Sequence, residues 1–299
     1  MLAFDDLTKL YGEHYALNHL SFEVPPGVVF GFLGPNGAGK TTAMRSIFNL
    51  VKLDSGTVTF QGAPITKRLS KRFGYMPEER GLYSKMTVID HLIYLARLHG
   101  VSSSEARRRA GSLIEELEIK GGGGVKVESL SLGNQQRAQI AATLISEPEL
   151  IVMDEPFSGL DPLSVEIVRR LLEDRAKKGN YVLFSSHQLE VVEDMCERVA
   201  IIDNGSLIVS DDTEALLSTR DQYIIQLLPG HGDLSNLVIE IDLIDLEGER
   251  LLFQANSIEE ANKVASRFMD LGVVESFHPY RLRLSDVFRK KIEEMRNGI

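Results

Sequence analysis

Gly34-Pro35-Asn36-Gly37-Ala38-Gly39-Lys40-Thr41-Thr42 constrains this chain more than any other stretch. It carries the spacing GxxxxGK[ST] and follows an apolar run, Leu20 to Leu33, which a Pro25-Pro26-Gly27 turn divides into two strand-like pieces. TTAMRSIFNLV, directly after it, reads as a helix. A glycine-rich loop between a strand and a helix points successive backbone N–H groups inward, at the positive end of the helix dipole, and so cradles phosphate oxygens. In such a loop the lysine, here Lys40, reaches the β- and γ-phosphates, and the Thr41 hydroxyl ligates Mg²⁺. The loop therefore predicts an α/β protein that uses ATP.

The rest of the chain alternates strand and helix patterns. GTVTFQG and RFGYMP read as strands, and Thr87 to Leu117 has helical spacing, with Val88, Leu92, Leu95 and Leu98 on one face and Ala106, Ala110, Leu113 and Leu117 on another. Gly121 to Gly124 reads as a flexible connector. SLSLGNQQRAQIAATLISEP follows as a serine-capped helix, LIVMDE and YVLFSS as apolar strands, and VAIIDNGSLIVS as a hairpin on Asn204-Gly205. Such alternation predicts a mostly parallel sheet covered on both faces. After about residue 218 the texture changes to a strand (YIIQLL), a strand pair (VIEIDLIDLEGERLLFQA), a helix (SIEEANKVASRFMDLG), a last strand (YRLRLS) and a terminal helix (DVFRKKIEEM), which predicts a small α+β domain over 219–299.

Composition narrows the partners. The formal net charge of -10 argues against a general nucleic-acid binder, which needs basic residues to neutralise phosphates. Cys196 is the only cysteine, so no intramolecular disulfide forms, and a small buried role is expected for it. The start of the chain lacks a basic segment followed by an apolar one, and no apolar run approaches the roughly 18 residues a membrane helix needs.

LIVMDE ends in Asp154 and Glu155, and in a parallel sheet such strand ends lie beside the phosphate loop. Asp154 is then placed to hold Mg²⁺ and Glu155 to orient or deprotonate the attacking water. Taken alone, a strand-ending acidic pair is as easily solvated surface.

In order along the chain, GPNGAGKTT, SLSLGNQQR, LIVMDEPFSGLDP and the Ser185–His187 segment SSH closely resemble the nucleotide-binding domain of ABC ATPases, over residues 1 to about 218. The resemblance implies a RecA-like P-loop NTPase core with an antiparallel β subdomain and a helical insertion at about 85–145. It also implies that Ser131 and Gly133 bind the γ-phosphate held by a second subunit, with Asp161 bridging to that subunit. His187 matches the family's γ-phosphate-contacting histidine, and Tyr11 the aromatic that stacks on adenine. Ser131 and Asp161 also read as plain helix caps, and a lone histidine or aromatic is more often structural. The family norm LSGGQ becomes Leu130-Ser131-Leu132-Gly133-Asn134 here. Glu78 stands where the family has a Mg²⁺-ligating glutamine, and its carboxylate is an adequate hard ligand. Its segment, PEERGLY, resembles ABC ATPases that serve sodium-efflux or multidrug exporters, and RLRLSDVFRKKIEEM resembles the tail of their accessory domain. The implied protein hydrolyses ATP as a homodimer with composite sites on a separate transmembrane permease, at the inner face of the cell membrane. A soluble ABC-type ATPase acting on nucleic acid or the ribosome is the alternative, and a phosphate-loop kinase a more distant one, since Glu155 activates the water a kinase must exclude.

Overall fold

The computed structural model describes residues 1–229 and 242–296. Its contacts divide the chain into two units, Met1–Thr213 with the C-terminal segment from Phe288, and Glu214–Val287. The division falls a few residues before the 218/219 boundary read from the sequence.

The first unit is built on a six-stranded sheet in the order β10-β9-β3-β8-β7-β6, where β3 is Val29–Leu33, β6 Phe73–Met76, β7 Leu150–Asp154, β8 Tyr181–Ser186, β9 Arg198–Asp203 and β10 Ser206–Asp212. All pairs are parallel except β9 with β10. β3, β7 and β8 are buried at every residue, which explains their unbroken apolar runs: a parallel strand covered on both faces has no solvent side to mark with polar residues. The β9–β10 turn has both Asn204 (φ 46°) and Gly205 (φ 77°) in the left-handed region, as a two-residue hairpin with the strands' own twist requires.

An antiparallel sheet in the order β2-β1-β4-β5 joins it, from β1 (Leu2–Tyr11), β2 (His14–Val24), β4 (Ser55–Phe60) and β5 (Ala63–Pro64). Phe4 stacks on Phe22 with ring centroids 4.2 Å apart, and Phe22 in turn on Phe32 at 5.0 Å, so the two sheets share one core. Helix α1 (Lys40–Ile47) ends earlier than its sequence pattern, because Asn49 turns into the left-handed region at φ 55°.

The helical insertion consists of α2 (Val88–Leu98), capped by Thr87, α3 (Ser103–Glu116), capped by Ser102, and α4 (Leu132–Leu144), capped by Ser131. Val88 and Leu92 are buried as expected, but Leu98 is exposed; the α2 core face turns instead through His91 and Ala96. The connector at Gly121 to Gly124 is packed: the Gly123 carbonyl accepts from Ile89 N–H, and a Cβ on Gly123 would come within 2.8 Å of Ile89. Helices α5 (Pro162–Lys177) and α6 (Leu189–Met195) complete this unit, and Cys196 is buried. Among the described residues no helix is long and apolar enough to cross a membrane.

After α7 (Thr213–Leu217), the second unit is an antiparallel sheet in the order β12-β13-β11-β14, formed by β11 (Ser218–Leu227), β12 (Asp242–Glu247), β13 (Arg250–Gln254) and β14 (Val274–Arg281). Helix α8 (Ile258–Asp270), capped by Ser257, contributes Ala261, Ala265 and Phe268 to a core with Ile225, Leu251 and Phe253. The expected strand pair loses residues 238–241, which lie outside the described residues. The last strand is Val274–Arg281 rather than YRLRLS, because Leu284 already opens α9 (Leu284–Arg296).

Candidate functional site

The parallel order fixes the site. β3, β6, β7 and β8 run the same way, so the segments that leave their C-terminal ends emerge on one edge: the phosphate loop, the Glu78 loop, Asp154-Glu155 and Ser185 to His187. They line a cleft of about 360 Å³ with Tyr11, Asn36, Gly37, Ala38, Gly39, Lys40, Thr41, Thr42, Glu78, Asp154, Glu155 and His187 on its walls. Gly34 and Pro35 lie behind it, and their carbonyls accept from Lys40 Nζ at 2.7 and 3.1 Å. The loop needs its glycines. Gly39 sits at φ +106°, and a Cβ there would meet the Ala16 carbonyl at 2.2 Å.

Lys40 is buried, which lowers its pKa; Glu155, Asp154 and Glu78 pull it back up. Thr41 Oγ1 donates to Asp154 Oδ2 at 2.7 Å, across 113 residues of sequence. Ser185 Oγ donates to Asp154 Oδ1 at 2.5 Å and accepts from the Glu155 backbone N–H at 3.1 Å. Glu155 itself has φ 52°, a conformation costing on the order of 1–3 kcal/mol for a side chain of this size, so its surroundings must impose it. Its Oε2 pairs with His187 Nδ1 at 2.8 Å. A carboxylate fixed against an imidazole beside a buried ammonium is an arrangement that can hold and orient a water next to a bound phosphate.

Hard oxygens from Thr41, Asp154 and Glu78 face the same cleft, a donor set that suits Mg²⁺. Among the described residues no three His, Cys, Asp or Glu side chains cluster as a metal cage. Tyr11 closes the cleft from the end of β1, half exposed, with Lys9 Nζ 5.3 Å from its ring centroid.

Ser131, Gly133 and Asp161 are not brought to this cleft. Ser131 is exposed at the N-terminus of α4, where its hydroxyl accepts from Asn134 N–H, and a Cβ on Gly133 would lie 3.4 Å from the Gly159 carbonyl. Asp161 caps α5 by accepting from Ser164 N–H at 2.8 Å, and that bond holds its carboxyl below the ordinary range. Leu132 is exposed on the first turn of α4. Asn134 is buried, with its Oδ1 accepting from Lys120 N–H and Arg137 and its Nδ2 donating to Ser131 Oγ, so the departure from the family's glutamine has an internal partner set.

Sequence reasoning gave no role to three residues that support the site: Ser185, Gln136 and Gln139. Gln136 Nε2 donates to the Glu155 and Pro156 carbonyls at 3.1 and 3.0 Å, and Gln139 Nε2 to those of Pro77 and Glu79 at 2.7 and 3.2 Å. Their signal was polar residues three apart in a helix flanked by apolar stretches, since buried amides must find partners.

A family model described as ABC transporter matches residues 17–158. The chain is 43% identical over 209 residues to the uncharacterized ABC transporter ATP-binding protein YhaQ of Bacillus subtilis (strain 168), covering 70% of each chain. It is 32% identical over 299 residues to a Nod factor export ATP-binding protein I of Cupriavidus metallidurans, covering 97% of this chain and 96% of the relative. Among solved structures, the dimeric post-hydrolysis state of the ATP-binding cassette MJ0796 bound to ADP and Pi matches with a TM-score of 0.65 at 26% identity, over 71% of this chain and 99% of that one.

Proposed function

Because the chain belongs to the family of ABC transporter ATP-binding subunits, we propose that it hydrolyses ATP as a homodimer to drive a separate transmembrane permease, and that the permease is an exporter. The observation that carries the reading is the divided site. One half, with Lys40, Thr41, Asp154, Glu155 and His187, lines a cleft; the other, Ser131 and Gly133 at an exposed helix N-terminus, lies elsewhere on the same chain. A second copy supplies the missing half, and an exposed N-terminus with free amide groups is chemically suited to a γ-phosphate.

Within the cleft, the loop from Gly34 to Thr42 binds the phosphates, Lys40 neutralises their charge, and Tyr11 stacks on adenine. Thr41, Asp154 and Glu78 would hold Mg²⁺, which would offset the charge of the phosphates when bound. Glu155 accepts a proton from the attacking water, and His187 keeps the carboxylate aimed while contacting the γ-phosphate. Asp161 bridges to the second subunit. The helical insertion with the Glu78 loop docks the permease, placing the protein at the inner membrane face. Export is supported by the PEERGLY segment and by the relative named for Nod factor export.

The test is capture from detergent-solubilised membranes of the source cells, with the tagged chain held in ATP and Mg²⁺. Recovery of a polytopic membrane protein is expected. Recovery of ribosomes or DNA without one overturns the transporter reading.

A further inference from the structure

Helix α4 ties two loops of the cleft to itself. Gln136 and Gln139 stand one turn apart on it, both buried, and each grips a pair of carbonyls: Gln136 those of Glu155 and Pro156, Gln139 those of Pro77 and Glu79. The pair held by Gln139 flanks Glu78, whose side chain lines the cleft. Residues 77–82 form neither helix nor strand, and among the described residues no turn, cap or loop backbone bond involves them. A segment without its own ladder depends on what reaches into it, and here the Gln139 amide does so, beside the packing of Pro77 and Leu82.

The helix at the other end of this grip is well suited to transmit position. From Asn134 onward α4 is buried nearly all round, and Arg137 adds a bond to the Leu117 carbonyl at 3.0 Å. Ser131, at its N-terminus, is two turns away, about 12 Å along a rigid rod.

We propose that Gln139 is the positioning residue for Glu78: it fixes the Glu78 carboxylate at the mouth of the phosphate loop and makes that placement move with α4, and so with Ser131. The inference rests on the metal role given to Glu78 above. A ligand held in place contributes to binding without first being ordered, whereas a released loop must be ordered at every binding event.

Gln139→Met keeps the length and flexibility of the side chain and removes both donors. The Mg²⁺ concentration for half-maximal ATPase activity should rise by at least about fivefold, since two hydrogen bonds are lost, while kcat at saturating Mg²⁺ stays within about twofold. In a Glu78→Ala background the same substitution should add no further shift, because the two residues act as one unit. No shift in the single variant, or equal shifts in both backgrounds, overturns the inference. Tryptic cleavage after Arg80, mapped by mass spectrometry, reads the anchoring without reference to metal, because Arg80 is exposed in the segment that Gln139 holds. Faster cleavage there, with cleavage elsewhere unchanged, is expected, and an unchanged rate overturns the inference whatever the Mg²⁺ response. A Glu78→Ala chain with unaltered Mg²⁺ dependence refutes the metal role instead, and the cleavage result then decides the anchoring by itself. If Gln139→Met proves unstable, Gln139→Leu, close in size and without the N–H donors, carries the same expectations.

Discussion

Replacing Glu155 by glutamine separates proton transfer from everything else the residue does. The backbone contacts that impose φ 52°, from Ser185 Oγ to the N–H and from Gln136 to the carbonyl, involve no side-chain atom of Glu155 and should survive. Glutamine has the same shape, and its amide can still meet His187 Nδ1, now 2.8 Å from the carboxylate. What disappears is a base and one negative charge. Loss of a positioned base costs about 10²–10⁴-fold in rate. With the water still oriented, the lower half of that range applies, about 100- to 1000-fold in kcat, or roughly 3–4 kcal/mol of barrier. The lost charge acts in the opposite sense on the ground state, since a carboxylate beside bound phosphates repels them. ATP affinity should therefore hold or improve, and the nucleotide should accumulate uncleaved between two subunits. Phosphate release under single-turnover conditions measures the first effect, and light scattering after size exclusion with and without ATP–Mg²⁺ measures the second. An ATPase rate within about twofold of the unmodified chain would refute the role given to Glu155. Loss of ATP binding together with rate would refute the claim that its backbone environment is independent of its carboxylate.

Lys40→Ala removes the buried ammonium that lines the cleft and should weaken ATP binding itself by at least about tenfold, on the scale of a charge-assisted contact; titration with a fluorescent ATP analogue checks it, and normal affinity counts against the loop assignment. Gly39→Ala would bring a Cβ to 2.2 Å from the Ala16 carbonyl at φ +106°, so the loop must move, and the same titration should show nucleotide binding largely lost. His91 is buried on α2 with neither ring nitrogen partnered among the described residues, and burial pushes its pKa below the ordinary value. The unfolded chain then binds more protons than the folded one just below about pH 6.5, so His91 makes stability fall as pH drops through that window. Melting curves at about pH 7 and pH 5.5 should show a smaller loss of Tm in His91→Phe than in the parent, and equal losses would contradict the assignment.

The phosphate loop was legible in the sequence because its chemistry is local: nine consecutive residues use backbone N–H groups and the start of the next helix, and neither needs a distant partner. Helix caps at Ser131 and Asp161, and the Asn204-Gly205 turn, are of the same kind. The helical spacing of α2 was legible too, but not its inner face, since burial of His91 in place of Leu98 depends on what packs against it. Resemblance supplied His187 and the end of the LIVMDE strand supplied Glu155, as separate residues, and only the strand order put them together. β7 lies beside β8, so Asp154 pairs with Ser185 in register and His187 comes down on Glu155 from 32 residues away. The grip of Gln139 on Pro77 and Glu79, 62 and 60 residues apart in sequence, has no local signature beyond a polar residue in a buried helix. Sequence by itself predicted a phosphate-binding loop, because that needs one short stretch. Tertiary structure decided which side chains share the cleft and which face away from it, because parallel strands bring their ends to one edge in an order that local residue patterns do not specify.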